Sequence, residues 1–256
     1  MKYIFIALCL IIQNIGFAKS SNHWIKYNRT VIPESYIIAD SNGYVIKQQD
    51  GNVQRPIASI SKLIVAFIAS SQDLTENLEI PSKRLVNSVI PMHQITLSRE
   101  ELITLALVKS DNFAAQILCN NIPNCVNAMN NKAQEIGMFN THYEEPTGLS
   151  KNNVSTANDL LKLLIAVSTN ETITRLSSMP SANIVSGKHI IHVNNTNPLT
   201  HTLNIILSKT GFTNPAGQCL VMGARSPIGI RYFILLGSKN RIPEMQKLYN
   251  ETTQVR

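Results

Sequence analysis

Between Ser59 and Ser70 the chain is apolar on almost every side, through Ile60, Leu63, Ile64, Val65, Phe67 and Ile68, and a lysine, Lys62, interrupts the run. A helix that is hydrophobic all round belongs in the middle of a domain, so this stretch predicts a central helix with the rest of the chain packed around it. Ser59 and Lys62 lie three residues apart, which puts the hydroxyl and the ammonium on one helical face. Lysine enclosed by apolar neighbours loses several pKa units, and a second cation nearby, Lys209, would push it the same way. A free amine beside a hydroxyl is what a serine needs to become a nucleophile. The blander reading is a lysine that snorkels to the surface; the apolar neighbours speak against it.

The segments on either side of this helix differ in period. Ser35 to Ala39 and Tyr44 to Gln48 read as strands joined through Asp40-Ser-Asn-Gly43, a hairpin turn with Asn-Gly at its tip. A helical block follows. Ser98-Arg-Glu-Glu101 is a capping box opening Leu102 to Val108, and a helix over Phe113 to Cys119 comes after the Ser110-Asp-Asn112 turn. Pro123 opens a further helix, stopped at Gly137, and Thr156 caps Leu160 to Val167. From Ile184 strands return, at Lys188 to Val193, Ile205 to Lys209, Gln218 to Ala224 and Ile230 to Leu236, before a last helix over Pro243 to Tyr249. This order predicts an α+β fold: one antiparallel sheet drawn from both chain ends, flanked by helices, with an inserted all-helical lobe.

Lys2, the apolar run Tyr3 to Ile12 and the small-x-small site Gly16-Phe17-Ala18 read as a secretory signal over 1–18, cleaved near Ala18. The run is too short for a comfortable span, although an uncleaved anchor is the competing reading. The expectation is an exported, periplasmic single domain over 19–256 with no stable membrane anchor. The formal net charge is +7, but its basic residues are scattered without an aromatic-interleaved run, which argues against nucleic acid as a partner. Cys119 and Cys125 bracket a short Asn/Pro loop and can pair in an oxidising compartment; two free thiols fit the spacing equally well. Cys219 reads as core, and three cysteines without histidines at ligand spacing make no metal site.

Three motifs then stand in order, Ser59-Ile-Ser-Lys62, Ser110-Asp-Asn112 and Lys209-Thr-Gly211, each occurring once. A bare Ser-x-x-Lys is weak evidence; the ordered set is strong. The six histidines lie outside all three and no Gly-x-Ser-x-Gly elbow is present, so Lys62 is the better base for Ser59. Ser110 can pass a proton between Lys62 and a departing amine, and the Asn112 amide can hold a substrate backbone in register; an ordinary inter-helix turn is the alternative for both. Lys209 and Thr210 suit a terminal carboxylate, and Gly211 leaves room for a peptide to lie along the strand. The backbone N–H groups of Ser59 and Phe212 would form an oxyanion hole, a device worth about 3–4 kcal/mol per donor.

Together with Pro56 to Lys62, Leu105 to Ala115, Glu145-Pro-Thr-Gly-Leu149 and Lys209 to Gly217, these motifs give a specific resemblance. The chain resembles the serine D-alanyl-D-alanine peptidases, the low-molecular-mass penicillin-binding proteins of the S11 type. The stretches around Glu145-Pro-Thr-Gly and Phe212 to Cys219 look most like the D,D-endopeptidase branch. The resemblance implies a periplasmic, cofactor-free acyl-enzyme at Ser59 acting on peptidoglycan peptides, with β-lactam antibiotics as covalent inhibitors. It also implies an arginine after the last strand to steer substrate carboxylate; that neighbourhood reads Gly237-Ser-Lys239, with Lys239 as a weak substitute. The family's carboxypeptidases often carry a further β-rich domain and a C-terminal anchor, and the expectation here is a soluble single unit. D-alanyl-D-alanine carboxypeptidase is the first alternative. A class A-like β-lactamase, with Glu144 or Glu145 activating water, is the second. A wall-binding protein with an inert serine is the third.

Overall fold

The first hairpin forms because Asp40 builds its turn: one carboxylate oxygen accepts from the backbone N–H groups of Asn42 and Tyr44, both at 2.9 Å. In this computed structural model residues 35–83, 87–91, 95–186 and 189–254 are described. The signal reading over 1–18, Trp24, His23, His93 and Lys188 lie outside them. The hairpin strands are β1 (Ser35–Asp40) and β2 (Val45–Gln49), and β3 (Arg55–Pro56) follows. A 3-10 turn over Ala58–Ser61 then leads into α1 (Lys62–Ala69). The buried central helix is present, but α-helical bonding starts at Lys62, after Ser59.

The helical block continues through β4 (Asn77–Glu79), β5 (Thr96–Ser98), α2 (Arg99–Thr104), α3 (Asn112–Asn120) and α4 (Cys125–Glu135). The Ser98–Glu101 capping box is complete. A π-helical turn, Leu105–Lys109, extends α2, and Ser110 ends it in the left-handed region with φ 62°. Such turns gather at functional sites. Cys119 and Cys125 are joined in a disulfide. Beyond β6 (Val154–Ser155) come α5 (Ala157–Ser168), capped by Thr156, and α6 (Glu171–Ser178).

The strand segments between α6 and residue 194 do not join the main sheet. Here β7 (Ser181–Ser186) and β8 (His189–Asn194) pair with each other as a separate hairpin. The main sheet takes β9 (Ile205–Thr213), β10 (Gly217–Ser226) and β11 (Gly229–Ser238), in the order β2-β1-β11-β10-β9. Its described pairings are antiparallel and draw on both ends of the chain, as expected. Strand alternation splits the core in two. Ile38, Leu220, Phe233 and Leu235 face Met245 and Leu248 of α7 (Arg241–Thr253). Ile37, Val221, Ile234 and Leu236 join the larger core shared with α1, α3 and α5. This leaves β9 as an edge strand whose open side faces the helical block; from it Ser208 donates its backbone N–H to Ser177 Oγ.

Candidate active site

The 3-10 turn gives the serine its place. Residues i and i+3 eclipse in a 3-10 helix, so Ser59 and Lys62 stand in line, with Nζ 2.7 Å from Oγ. Ala58, immediately before the serine, has φ 47°, a strained value for a residue with a side chain. Lys62 is fully buried, and it donates to two oxygens besides Ser59: Asn112 Oδ1 at 2.7 Å and the Thr147 carbonyl at 2.6 Å. Burial pulls its pKa down to about 7, against the opposing pull of Glu145 and Asp111. Lys209 is likewise held well below the usual lysine range, by its own burial first, then by Lys62 and Arg241, and the repulsion between the two lysines disfavours the charged form of each. The two fixed partners matter chemically. An amide oxygen and a carbonyl can only accept, so a neutral Lys62 gives both its protons to them and turns its lone pair to Ser59.

The Thr147 carbonyl comes from a loop that Glu145 organises. Its carboxylate accepts from the backbone N–H of Thr147 at 2.6 Å, the Thr147 hydroxyl at 2.5 Å, and the N–H of Gly148 at 2.6 Å. Glu145 is thereby committed to its own loop. Glu144 is exposed and bonded to Ser150 and Asn152. Asn153, fully buried, ties this loop to the nucleophile's turn, donating to Ser61 Oγ and accepting from the N–H groups of Glu144 and Glu145. Gly148 seals the contact. Its φ is +81°, and a Cβ there would stand 1.9 Å from the Ala58 carbonyl oxygen.

From the other side β9 brings Lys209, Thr210, Gly211 and Phe212. The Ser208 N–H leaves by the open edge, and the two-residue repeat turns the N–H groups of Thr210 and Phe212 to that edge as well. Gly211 has a tighter reason to be glycine than room for a substrate: an added Cβ would lie 2.9 Å from Ile57 O and 3.1 Å from Ser59 N. The backbone of the serine thus rests against the strand, and the Ser59 and Phe212 N–H groups belong to adjoining backbone. The Phe212 side chain is exposed. Lys209 is buried, and its Nζ donates to the Thr210 carbonyl at 3.1 Å.

Sequence reasoning missed four contributors: Thr147 as a carbonyl, Glu145 as the organiser of its loop, Asn153, and Arg241. The last corrects the reading of Lys239, which is exposed and offers its backbone carbonyl to Gln218 Nε2. Arg241, two residues on, reaches back to donate Nη1–H to the Gly211 carbonyl at 2.9 Å, and burial lowers its pKa. An arginine in the first turn of α7 opposes the helix dipole, an arrangement that suits an anion better than it suits the helix. Ser110 stands at the left-handed end of the π-helical turn; the recorded acceptors of Lys62 are Ser59, Asn112 and Thr147, and Ser110 is not among them.

A serine paired with a dry lysine, set between a helical block and a cationic strand edge, defines the class: a serine hydrolase with a lysine base. Residues 23–232 match the family model described as D-alanyl-D-alanine carboxypeptidase, peptidase S11, and the chain belongs to that family. It is 36% identical over 242 residues to a D-alanyl-D-alanine endopeptidase of Pseudomonas aeruginosa, covering 86% of this chain and 78% of the relative. It is 41% identical over 204 residues to a D-alanyl-D-alanine endopeptidase of Escherichia coli, covering 73% and 66%. Among solved structures, ampicillin-bound penicillin-binding protein D2 of Listeria monocytogenes superposes with a TM-score of 0.76 at 27% identity, over 84% of this chain and 95% of that one.

Proposed function

We propose that this protein is a peptidoglycan hydrolase, a serine D-alanyl-D-alanine endopeptidase that opens D-Ala cross-links through an acyl-enzyme at Ser59. One observation carries the reading: a buried lysine with a pKa of about 7 aims its lone pair at a hydroxyl 2.7 Å away. Near neutral pH a free-base form is therefore accessible, the condition for general-base catalysis.

In the proposed sequence, Lys62 takes the Ser59 proton as Oγ attacks the D-Ala carbonyl. The N–H groups of Ser59 and Phe212 receive the oxyanion. Ser110 relays the proton to the departing amine. Water then frees the acyl group. Asn112 gives its oxygen to Lys62, which leaves its NH₂ to hold the substrate backbone. Lys209, Thr210 and Arg241 receive the carboxylate on the leaving side, where the buried Lys209 and the half-buried Arg241 donate to backbone carbonyls and, among the described residues, not to a carboxylate. Export with removal of residues 1–18 accompanies this reading, and the Cys119–Cys125 disulfide supports an oxidising compartment such as the periplasm. Among the described residues no helix is long and apolar enough to cross a membrane.

The endopeptidase choice leans on the two relatives' names; carboxypeptidase, the family model's description, is the alternative. Purified cross-linked muropeptide dimers and pentapeptide monomers, supplied separately, decide between them. Cleavage of the dimer is expected, and trimming of the pentapeptide alone rejects the endopeptidase reading. Intact-mass spectrometry after benzylpenicillin should show one adduct, absent in Ser59→Ala. Glu145 is spent on its loop, so nitrocefin should be turned over slowly; rapid turnover would favour the β-lactamase.

A further inference from the structure

Thr196 is wired to both sides of the cleft, although it lies outside all three motifs. Its backbone N–H donates to the Val108 carbonyl at 3.0 Å, two residues before Ser110, and its Oγ1 is 2.6 Å from Thr210 Oγ1. Its neighbours fix it there. Asn195 donates Nδ2–H to the carbonyls of Ser177 and Met179, and accepts from the Asn197 N–H. Asn195 and Asn197 are both buried.

Two hydroxyls at 2.6 Å share one hydrogen, and either can be the donor. If Thr210 donates to Thr196, it turns a lone pair outward. If Thr196 donates, the Thr210 hydrogen is free to point into the cleft, and its oxygen is polarised to donate more strongly. A carboxylate accepts only, so it selects the second arrangement. Thr210 itself is only 3% exposed, which leaves its oxygen little water to satisfy it in place of Thr196.

We propose that Thr196 is a positioning residue for anion recognition: its hydroxyl donates to Thr210 Oγ1 and thereby presents the Thr210 proton to the carboxylate on the leaving side of the substrate. The inference rests on β9 being the carboxylate-binding edge, as proposed above. It makes Thr196 a determinant of specificity for free acids over neutral analogues.

The test compares acylation of Ser59 by benzylpenicillin and by its methyl ester, followed by intact-mass spectrometry. In Thr196→Val the free acid should acylate about fivefold more slowly while the ester is unchanged, the loss of one ordinary hydrogen bond. Thr196→Ser, which keeps the hydroxyl, should restore the preference, and Thr196→Ala repeats the test if valine prevents folding. An unchanged ratio of the two rates overturns the proposal. Equal slowing of both compounds overturns it too, because it assigns Thr196 a merely structural part. A wild-type protein acylated by neither compound would instead defeat the proposed function itself, and this inference with it.

Discussion

The two walls of the cleft are finished to different degrees. On the helical side the lysine's partners are in place: Lys62 has three oxygens, Asn112 and Thr147 serve it, and Glu145 and Asn153 hold the loop behind them. On the strand side the cations are underused. Lys209 has the Thr210 carbonyl, Arg241 has the Gly211 carbonyl, and the Arg241 Nε is buried without a partner. Burial disfavours the charged form of Lys209 and lowers the pKa of the half-buried Arg241, and an arriving anion would offset both effects. On the proposed reading, the first wall serves a step the protein supplies itself, and the second a charge the substrate brings.

Substitutions should respect that division. On the complete wall, Lys62→Met should slow penicillin acylation by about 10³-fold, the scale of general-base catalysis. Its stability signature has a defined sign. The native lysine is neutral above pH 7 whereas the unfolded one stays charged to about pH 10, so wild-type stability rises with pH across that window. The melting temperature of Lys62→Met relative to wild type should therefore fall as pH climbs from 6.5 to 9.5. A difference that is flat with pH would mean that the buried amine is not the group titrating.

Glu145→Gln should cost about 10²-fold in acylation, because an amide cannot accept from all the N–H groups the carboxylate holds, and the Thr147 carbonyl moves. Its pH profile separates charge from shape. Glu145 raises the Lys62 pKa, so the acidic limb of the acylation profile, near pH 7 in wild type, should shift downward in the variant. An upward shift would contradict the assigned polarity. On the incomplete wall, Arg241→Gln should weaken acylation by carboxylate-bearing penicillin about tenfold, as expected for one charge-assisted bond, and spare its ester. Lys239→Ala should leave both unchanged. Away from both walls, replacing Cys119 and Cys125 with serine should lower stability by about 2 kcal/mol on chemical denaturation while acylation persists.

The complete wall was the harder one to read from the residues. Ser59, Lys62 and Asn112 were legible because their side chains do the bonding and the apolar run announces burial. Thr147 was not, since its contribution is a carbonyl, which every residue has. Glu145 was visible as a charge, but its role depends on a loop conformation that spacing does not reveal. On the strand side Lys209-Thr-Gly211 was plain, whereas Arg241 was displaced to Lys239 because the reach of a helix-initiating arginine back to Gly211 is a tertiary fact. The main-sheet strands and the helices α1 to α5 and α7 followed the expected order because periodicity is local, whereas α6 and the short pairs β3–β6 and β4–β5 were not anticipated. The detached β7–β8 hairpin departed from the expected single sheet, because a strand pattern does not say which sheet it joins.

Gly148 and Gly211 press on the same short stretch of backbone, Ile57 to Ser59, from a loop and a strand encoded far downstream. A growing or truncated chain can therefore contain the serine and the lysine and still be chemically inert, its amine wet and protonated. Reactivity depends on long-range packing as well as on the local helix. For a catalyst aimed at the polymer that encloses its own cell, that dependence is a safeguard against premature damage.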